Sequence, residues 1–196
     1  AKTYTRIEYD RDSYAAAKLI SEFYIKLYAK GLNLRYVILR IFNVYGPGMI
    51  GSKYGQVIPE FFERVNAGEY PLNIIGDGSN TRSFIYIDDH VRLTYNIIKS
   101  KFNGVINIGS EEEVEIVDLA SRVLNFFGLK PKFNFKEERL GDHKRRCPDN
   151  TLLKETIQDF DLMSLNQGLL SMKNKLDTLI TKLKNKLNNW NWRRIE

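Results

Sequence analysis

The chain has 196 residues, 43% of them hydrophobic and 12% aromatic, with 30 Lys and Arg against 24 Asp and Glu for a net charge of +6. That composition suits a domain of ordinary size with a real core and excludes a disordered chain. No run approaches the roughly 18–20 apolar residues of a membrane span, no charged-then-apolar signal opens the sequence, and a single cysteine, Cys147, excludes an internal disulfide and suits a reducing, cytoplasmic location.

After a polar lead-in, Ser13 to Lys30 reads as a helix, capped by Asp12 or Ser13, filled with alanines and stopped by Gly31. Its apolar residues go round most of the cylinder, so cover on more than one side is expected, from its own core and from a partner subunit. Arg35 to Ile41 reads as a buried strand and Asn43 to Gly55 as a Gly- and Pro-containing loop. Val57 to Asn66 reads as a helix, Leu72 to Ile75 as a strand, Gly76 to Asn80 as a turn and Ser83 to Ile87 as a strand. Asp88 or Asp89 is expected to cap a helix to about Lys101. Val105 to Ile108 is read as a strand, Glu113 to Phe127 as a helix, Lys132 to Phe135 as a strand, Lys136 to Asn150 as a charged loop, and Thr151 as a helix start. Strands alternating with helices in this way predict an α/β fold with some or all of its sheet parallel.

The positive charge sits at the end of the chain. Between Ser171 and Glu196 there are five Lys and two Arg against Asp177 and Glu196. The rest is nearly neutral, which argues against nucleic acid as a partner. Within the tail Leu176, Leu179, Ile180, Leu183, Leu187 and Trp190 make one apolar stripe with lysines on the other faces. A terminal helix packed on the body or on a neighbour is the expectation; a membrane-surface or nucleic-acid role is the alternative.

Gly46-Pro47-Gly48-Met49-Ile50-Gly51 matches a dinucleotide-binding glycine pattern and follows a strand. We reject it, because Pro47 removes an N–H a phosphate would need and no helix opens directly after Gly51. Tyr14 and Lys18 are more informative, since a spacing of four places phenol and ammonium on one helix face. A tyrosine titrates near ~10 when free, and a fixed cation favours its phenolate. Such a pair can take the proton of a sugar hydroxyl while hydride leaves the same carbon. Tyr and Lys four apart also occur by chance in most proteins of this size, so the pair needs company.

The company is Arg40-Ile-Phe42-Asn43-Val-Tyr45-Gly46-Pro47, Gly76-Asp-Gly78-Ser-Asn-Thr-Arg82-Ser-Phe-Ile-Tyr86-Ile-Asp88-Asp89, Asn107-Ile-Gly109-Ser110 and Arg145-Arg146-Cys-Pro148-Asp149. In this order and spacing the chain resembles the C-terminal two-thirds of the extended short-chain dehydrogenase/reductases, the NAD-dependent nucleotide-sugar epimerase/dehydratase family, from roughly Ser13 to Leu170. The resemblance implies the C-terminal part of a Rossmann-like fold with a smaller mixed α/β substrate-binding lobe. Residues 1–45 would then hold the catalytic helix and following strand. Residues 46–170 would form the substrate lobe interleaved with the last Rossmann elements at about 82–101, and residues 171–196 a basic amphipathic helix. It also implies NAD as cofactor, with Tyr14 as the catalytic acid/base, Lys18 holding the nicotinamide ribose and Phe42 lining the nicotinamide side. Asn43 would contact the diphosphate of a nucleotide sugar, Gln56 and Val57 with Asn73 to Ile75 would border the base, Arg82 and Arg146 would clamp the diphosphate, and Asp149 would meet the nucleoside or sugar. Paired hydrogen bonds from a guanidinium suit that diphosphate.

Two features depart from the pattern. The family's glycine-rich phosphate loop and the Ser/Thr that assists the tyrosine have no counterpart before Tyr14, Thr3 and Thr5 being too close to it. The chain is therefore expected to be a fragment with little or no turnover alone. The expected whole is a nucleotide-sugar 4-epimerase acting on a UDP-sugar-like substrate, with a 4,6-dehydratase or a decarboxylase as alternatives, and a non-catalytic assembly protein using its basic tail as the alternative from another class. A homodimer with no membrane partner is expected. The two histidines, far apart, predict no metal site: His90 reads as a capping or surface residue, and His143 as a residue that could line the pocket. Cys147, beside Arg145 and Arg146, reads as a neutral filler rather than a reactive thiolate.

Overall fold

The computed structural model describes residues 12–51 and 56–188; the lead-in, Ser52 to Gly55 and Trp190 lie outside the described residues. The elements in order are α1 (Asp12–Gly31), β1 (Val37–Ile41), β2 (Val44–Tyr45), α2 (Val57–Asn66), β3 (Leu72–Ile75), β4 (Thr81–Ser83), β5 (Ile85–Tyr86), α3 (Ile87–Lys99), β6 (Gly104–Ile108), β7 (Glu113–Glu115), α4 (Ile116–Phe126), β8 (Phe133–Lys136), β9 (Arg145–Arg146), α5 (Thr151–Thr156) and α6 (Leu165–Asn188).

Two cores result. In the first, β1 and β6 pair in parallel from Val37 against Gly104 to Ile41 against Ile108. Leu93 and Ile97 of α3, Ile106 and Ile108 of β6, and Leu153 and Ile157 around α5 close over that pair. In the second, the apolar faces of α2, α4 and α6 meet β3: Ile58, Phe61, Phe62, Leu72, Ile74, Leu119, Val123, Leu124, Leu165 and Leu169 are buried together. β3 runs parallel to β8, and β4 lies between β7, antiparallel, and β9, parallel. The chain leaves the first core after β1, builds the α2 and β3 part of the second, returns through β5, α3 and β6, and then adds α4 and finally α6 to the second. The two cores are thus laced together by β2 and β5, a parallel pair.

Several elements differ from the sequence reading. The segment Ser83–Ile87 is two strands, because Ser83 pairs with β7 while Ile85 and Tyr86 pair with β2. α3 then starts at Ile87 with Tyr86 in extended conformation before it, and no side chain caps it. Asp88 and Asp89 sit in its first turn, where they complement the helix dipole instead. Residues 113–115 are a strand edge-paired to β4, so α4 begins three residues later than expected. The charged loop before Asn150 contains β9. The boundary read at residue 171 falls inside α6, which is continuous from Leu165.

α1 differs most in its surroundings. Of its residues only Ala29 is buried; Phe23, Tyr24, Leu27 and Tyr28 are all more than half exposed. Cover on more than one side is therefore absent within the described residues. The helix is tied to β1 by a two-pronged ion pair, Arg40 donating from Nε to Glu22 Oε1 and from Nη2 to Glu22 Oε2, each at 2.8 Å. That hydrogen bonding holds the Glu22 carboxyl below its ordinary value and the Arg40 guanidinium above its own.

The crossing of α6 over the second core depends on one glycine. A Cβ on Gly168 would lie 1.9 Å from Tyr45 Oη, and the buried Tyr45 hydroxyl donates to the Leu165 carbonyl at 3.4 Å. Gly168→Ala is expected to lower stability by about 2–3 kcal/mol through overpacking. In thermal unfolding, Tyr45→Phe in the same chain should recover part of that loss; equal losses with and without the hydroxyl would contradict the crossing.

Candidate active site

A cavity lies where the loop after β1, the start of α2, β3, β4 and β9 converge. Its lining includes Asn43, Gln56, Val57, Asn73, Ile75, Arg82 and Arg146, seven of the eight residues read as substrate contacts. Alternation along β3 explains two of them: Leu72 and Ile74 are buried in the core, so Asn73 and Ile75 turn to the other face. Asn43 has a left-handed backbone (φ +30°), tolerable for Asn, and its Nδ2 donates to the Ser83 carbonyl at 2.8 Å. Gln56 precedes α2 and Val57 opens it.

The two arginines are brought together by register. Arg82 of β4 is paired with Arg146 of β9 in parallel, so both side chains rise from one side of the strand pair. Arg82 is held by its own surroundings: Nη1 donates to the carbonyls of Thr81 and His143, both at 2.8 Å, and Nη2 to Asp142 Oδ1 at 3.0 Å. Arg139 and Asp142 also line the cavity, as do Asn80 and Arg64. The sequence reading missed Arg139 and Asp142 because it treated residues 136–150 as a charged loop. The signal was there, in charged residues spaced around a Gly141 turn whose φ is +72°.

Four guanidiniums and two carboxylates, Glu60 and Asp142, line the cavity. Arg64 is committed to neighbours: it donates to Glu69 Oε1 at 2.6 Å and Oε2 at 2.8 Å, to Glu60 Oε1 at 3.1 Å, and to the Asn73 carbonyl at 2.6 Å. Glu69 in turn accepts from the backbone N–H and the amide of Asn73. The site therefore has a fixed floor and a modest excess of positive charge, the Arg64–Glu69 pair being internally balanced.

The remaining site residues lie elsewhere. Tyr14 and Lys18 share one face of α1, the ammonium 5.3 Å from the ring centroid, and Tyr14 is 70% exposed; neither lines the cavity. Phe42 follows β1, its N–H donating to the Ile108 carbonyl at 3.0 Å, and it packs on Gly109, where a Cβ would fall 2.8 Å from its own. Asp149 is also away from the cavity. Its Oδ1 accepts from the Thr151 N–H at 2.9 Å and hydroxyl at 2.7 Å, which holds its carboxyl below the ordinary range and fastens the start of α5. The neighbours of Asp149 within the chain are those of a turn. His143 contributes a carbonyl to Arg82 and does not line the cavity. His90 does not cap α3 and is half-buried: its Nδ1 is enclosed with no hydrogen-bond partner among the described residues, and burial pushes its imidazole down. Burial pushes the Cys147 thiol up, as for a filler. The Gly46–Gly51 loop ends with the Gly51 N–H donating to Glu63 Oε1 at 2.7 Å, and α2 starts only at Val57. A carboxylate occupying that N–H supports the rejection of a phosphate loop.

A sequence model of the NAD dependent epimerase/dehydratase family matches residues 1–109. The chain belongs to that family. It is 36% identical to the UDP-N-acetyl-alpha-D-glucosaminuronate decarboxylase of Bacillus cytotoxicus over 167 residues, 81% of this chain and 51% of that protein. It is 30% identical over 164 residues to a dTDP-4-dehydro-6-deoxy-D-allose reductase of Streptomyces, 83% of this chain and 50% of that protein. Among solved structures, the UDP-N-acetylglucosamine 4-epimerase of Methanobrevibacter ruminantium superposes with a TM-score of 0.77 at 30% identity, covering 85% of this chain and 54% of that one. The UDP-glucuronic acid 4-epimerase of Bacillus cereus, solved with UDP-glucuronic acid and NAD, gives 0.77 at 30% identity, covering 91% and 58%. The chain spans about half the length of the relatives it matches. The fold is accordingly Rossmann-like, the family is one of enzymes, and its cofactor is NAD.

The Arg64–Glu69 pair has a consequence for acid stability. Hydrogen bonds from Arg64, against some loss of solvation, hold Glu69 at about 2 rather than 4.5. A depressed carboxyl contributes stability above its unfolded value and loses it as pH falls through the folded one. Glu69→Gln should therefore cost about 1 kcal/mol near neutrality, with the difference from the parent closing between pH ~4.5 and ~2 in denaturant titrations. A gap independent of pH would contradict this.

Proposed function

We propose that this chain is the catalytic-helix and substrate-binding part of an NAD-dependent nucleotide-sugar epimerase. The observation that carries the proposal is the convergence of Asn43, Gln56, Val57, Asn73, Ile75, Arg82 and Arg146 on one cavity of excess positive charge. In this reading Arg82, Arg146 and the neighbouring Arg139 hold the diphosphate, while the β3 face and the start of α2 border the base. Binding far from the reacting carbon anchors the nucleotide and leaves the sugar free to turn. Tyr14 accepts the proton of the sugar hydroxyl. Lys18, on the same helix face, holds the nicotinamide ribose. Both groups face outward on α1, and no hydrogen bond engages either among the described residues, which fits residues meant for a ligand. NAD, when bound, supplies the hydride acceptor and donor. Phe42 flanks its nicotinamide, and two subunits associate.

A decarboxylase is the second reading, favoured by the 36% identity to a UDP-N-acetyl-alpha-D-glucosaminuronate decarboxylase. The two part on product: an epimer of unchanged mass, or a sugar lighter by carbon dioxide.

Calorimetric titration with UDP and a UDP-sugar tests the cavity. Arg82→Ala and Arg146→Ala should each weaken binding about 10- to 100-fold, the worth of a charge-assisted hydrogen-bond pair. Unchanged affinity in both would remove the diphosphate assignment. In an enzyme that joins this sequence to a glycine-rich NAD-binding half, Tyr14→Phe should lower turnover by about 10²–10⁴ with little change in nucleotide affinity. Retained turnover would end the catalytic assignment of Tyr14.

A further inference from the structure

The C-terminal helix outruns the body on which it packs. Leu165, Leu169 and Met172 are in the second core and Leu176 packs against it, but farther along Leu179 is 46% and Leu183 61% exposed. At about 100° per residue, Met172, Leu176, Leu179, Ile180 and Leu183 fall within one arc of about 100°. The overhanging apolar face therefore looks the same way as the buried one. The helix runs on for about 18 Å from Leu176 to Asn188. Lysines stand on both borders of the stripe: Lys173 and Lys184 on one, Lys175 and Lys182 on the other, with Asn174, Thr178 and Thr181 behind. Asp177 is the one carboxylate of α6, and it is paired with Lys173.

We propose that this overhanging face docks an acidic amphipathic helix of a partner protein. The charge argues against a second copy of the same helix, since lysine borders would face lysine borders. A helix whose apolar stripe is edged by Glu and Asp complements both the leucine stripe and its lysine borders. Its ridge fits between the row Met172, Leu176, Ile180 and the row Leu179, Leu183, each of i, i+4 spacing, with its carboxylates toward the lysines. The stripe keeps the 3.6-residue period of a straight helix rather than a strict seven-residue repeat, so a crossing near −50° is expected, not a long supercoil. This inference is independent of the nucleotide-sugar reading.

The test uses the whole chain and a synthetic helix of about 20 residues, leucines at i, i+3, i+4 spacing and glutamates on both borders, with its glutamate-to-lysine counterpart as control. Fluorescence anisotropy should show the acidic probe bound at least about tenfold tighter than the basic one, and weakened about tenfold as salt rises from ~50 to ~500 mM. Leu179→Asp with Leu183→Asp should abolish binding, and Lys182→Glu with Lys184→Glu should reverse the preference between probes. Both variants should keep the parent's thermal midpoint, because none of the four side chains is in the core. Equal binding of the two probes, no binding, or binding that survives the leucine changes overturns the proposal. So does co-sedimentation with phosphatidylserine vesicles that the leucine changes abolish, or a dimer in sedimentation that they split, since either would give the face another occupant.

Discussion

The cavity depends on the register of two short parallel strands, Thr81–Ser83 and Arg145–Arg146, more than sixty residues apart in sequence. A slip of one residue would turn Arg82 or Arg146 to the opposite face, and the two guanidiniums would no longer share a ligand. The register is held from both sides. β4 also pairs with β7, where the Thr81 hydroxyl donates to Glu113, and Arg145 donates to the same carboxylate at 2.8 Å. The neighbours of the two arginines thus pin the strands while the arginines turn to the cavity.

Around this pin the two cores do different work. The first, built on β1 and β6, carries α1 by little more than Ala29 and the Glu22–Arg40 pair. The second is well filled, locked by α6 across Tyr45 and by the Tyr86–Ser171 hydroxyl pair at 2.8 Å. The arginine-lined cavity therefore rests on the half with the larger core. The proposed catalytic pair, Tyr14 and Lys18, rests on the element with the fewest buried contacts, so the account asks α1 to be steadied by what it binds.

Much of this was readable in the residues, for reasons that differ by element. Val57–Asn66 and Leu72–Ile75 were placed to the residue because each is a short apolar run bounded by turn formers, and its burial follows its own period. The errors fall where long-range pairing overrides local preference. Glu113–Glu115 looks helical, but pairing with β4 extends it; residues 145–146 look like loop, but the same sheet claims them. The same gap hides Arg139 and Asp142. A charged stretch shows which groups are present, and only the sheet shows which of them turn inward. His90 is half-buried by the packing of α3, which its neighbours in sequence do not reveal.

The central claim is that the arginine-lined cavity holds a nucleotide diphosphate sugar. The most direct measurement is to denature the purified 196-residue chain and identify any released nucleotide by mass spectrometry. The account predicts a nucleotide sugar, whose mass would name base and sugar together, without stoichiometric NAD. NAD released in equal amount would contradict the rejection of the Gly46–Gly51 loop as a phosphate site. Release of neither, in a chain that also fails to take up added UDP-sugar, would contradict the cavity assignment itself.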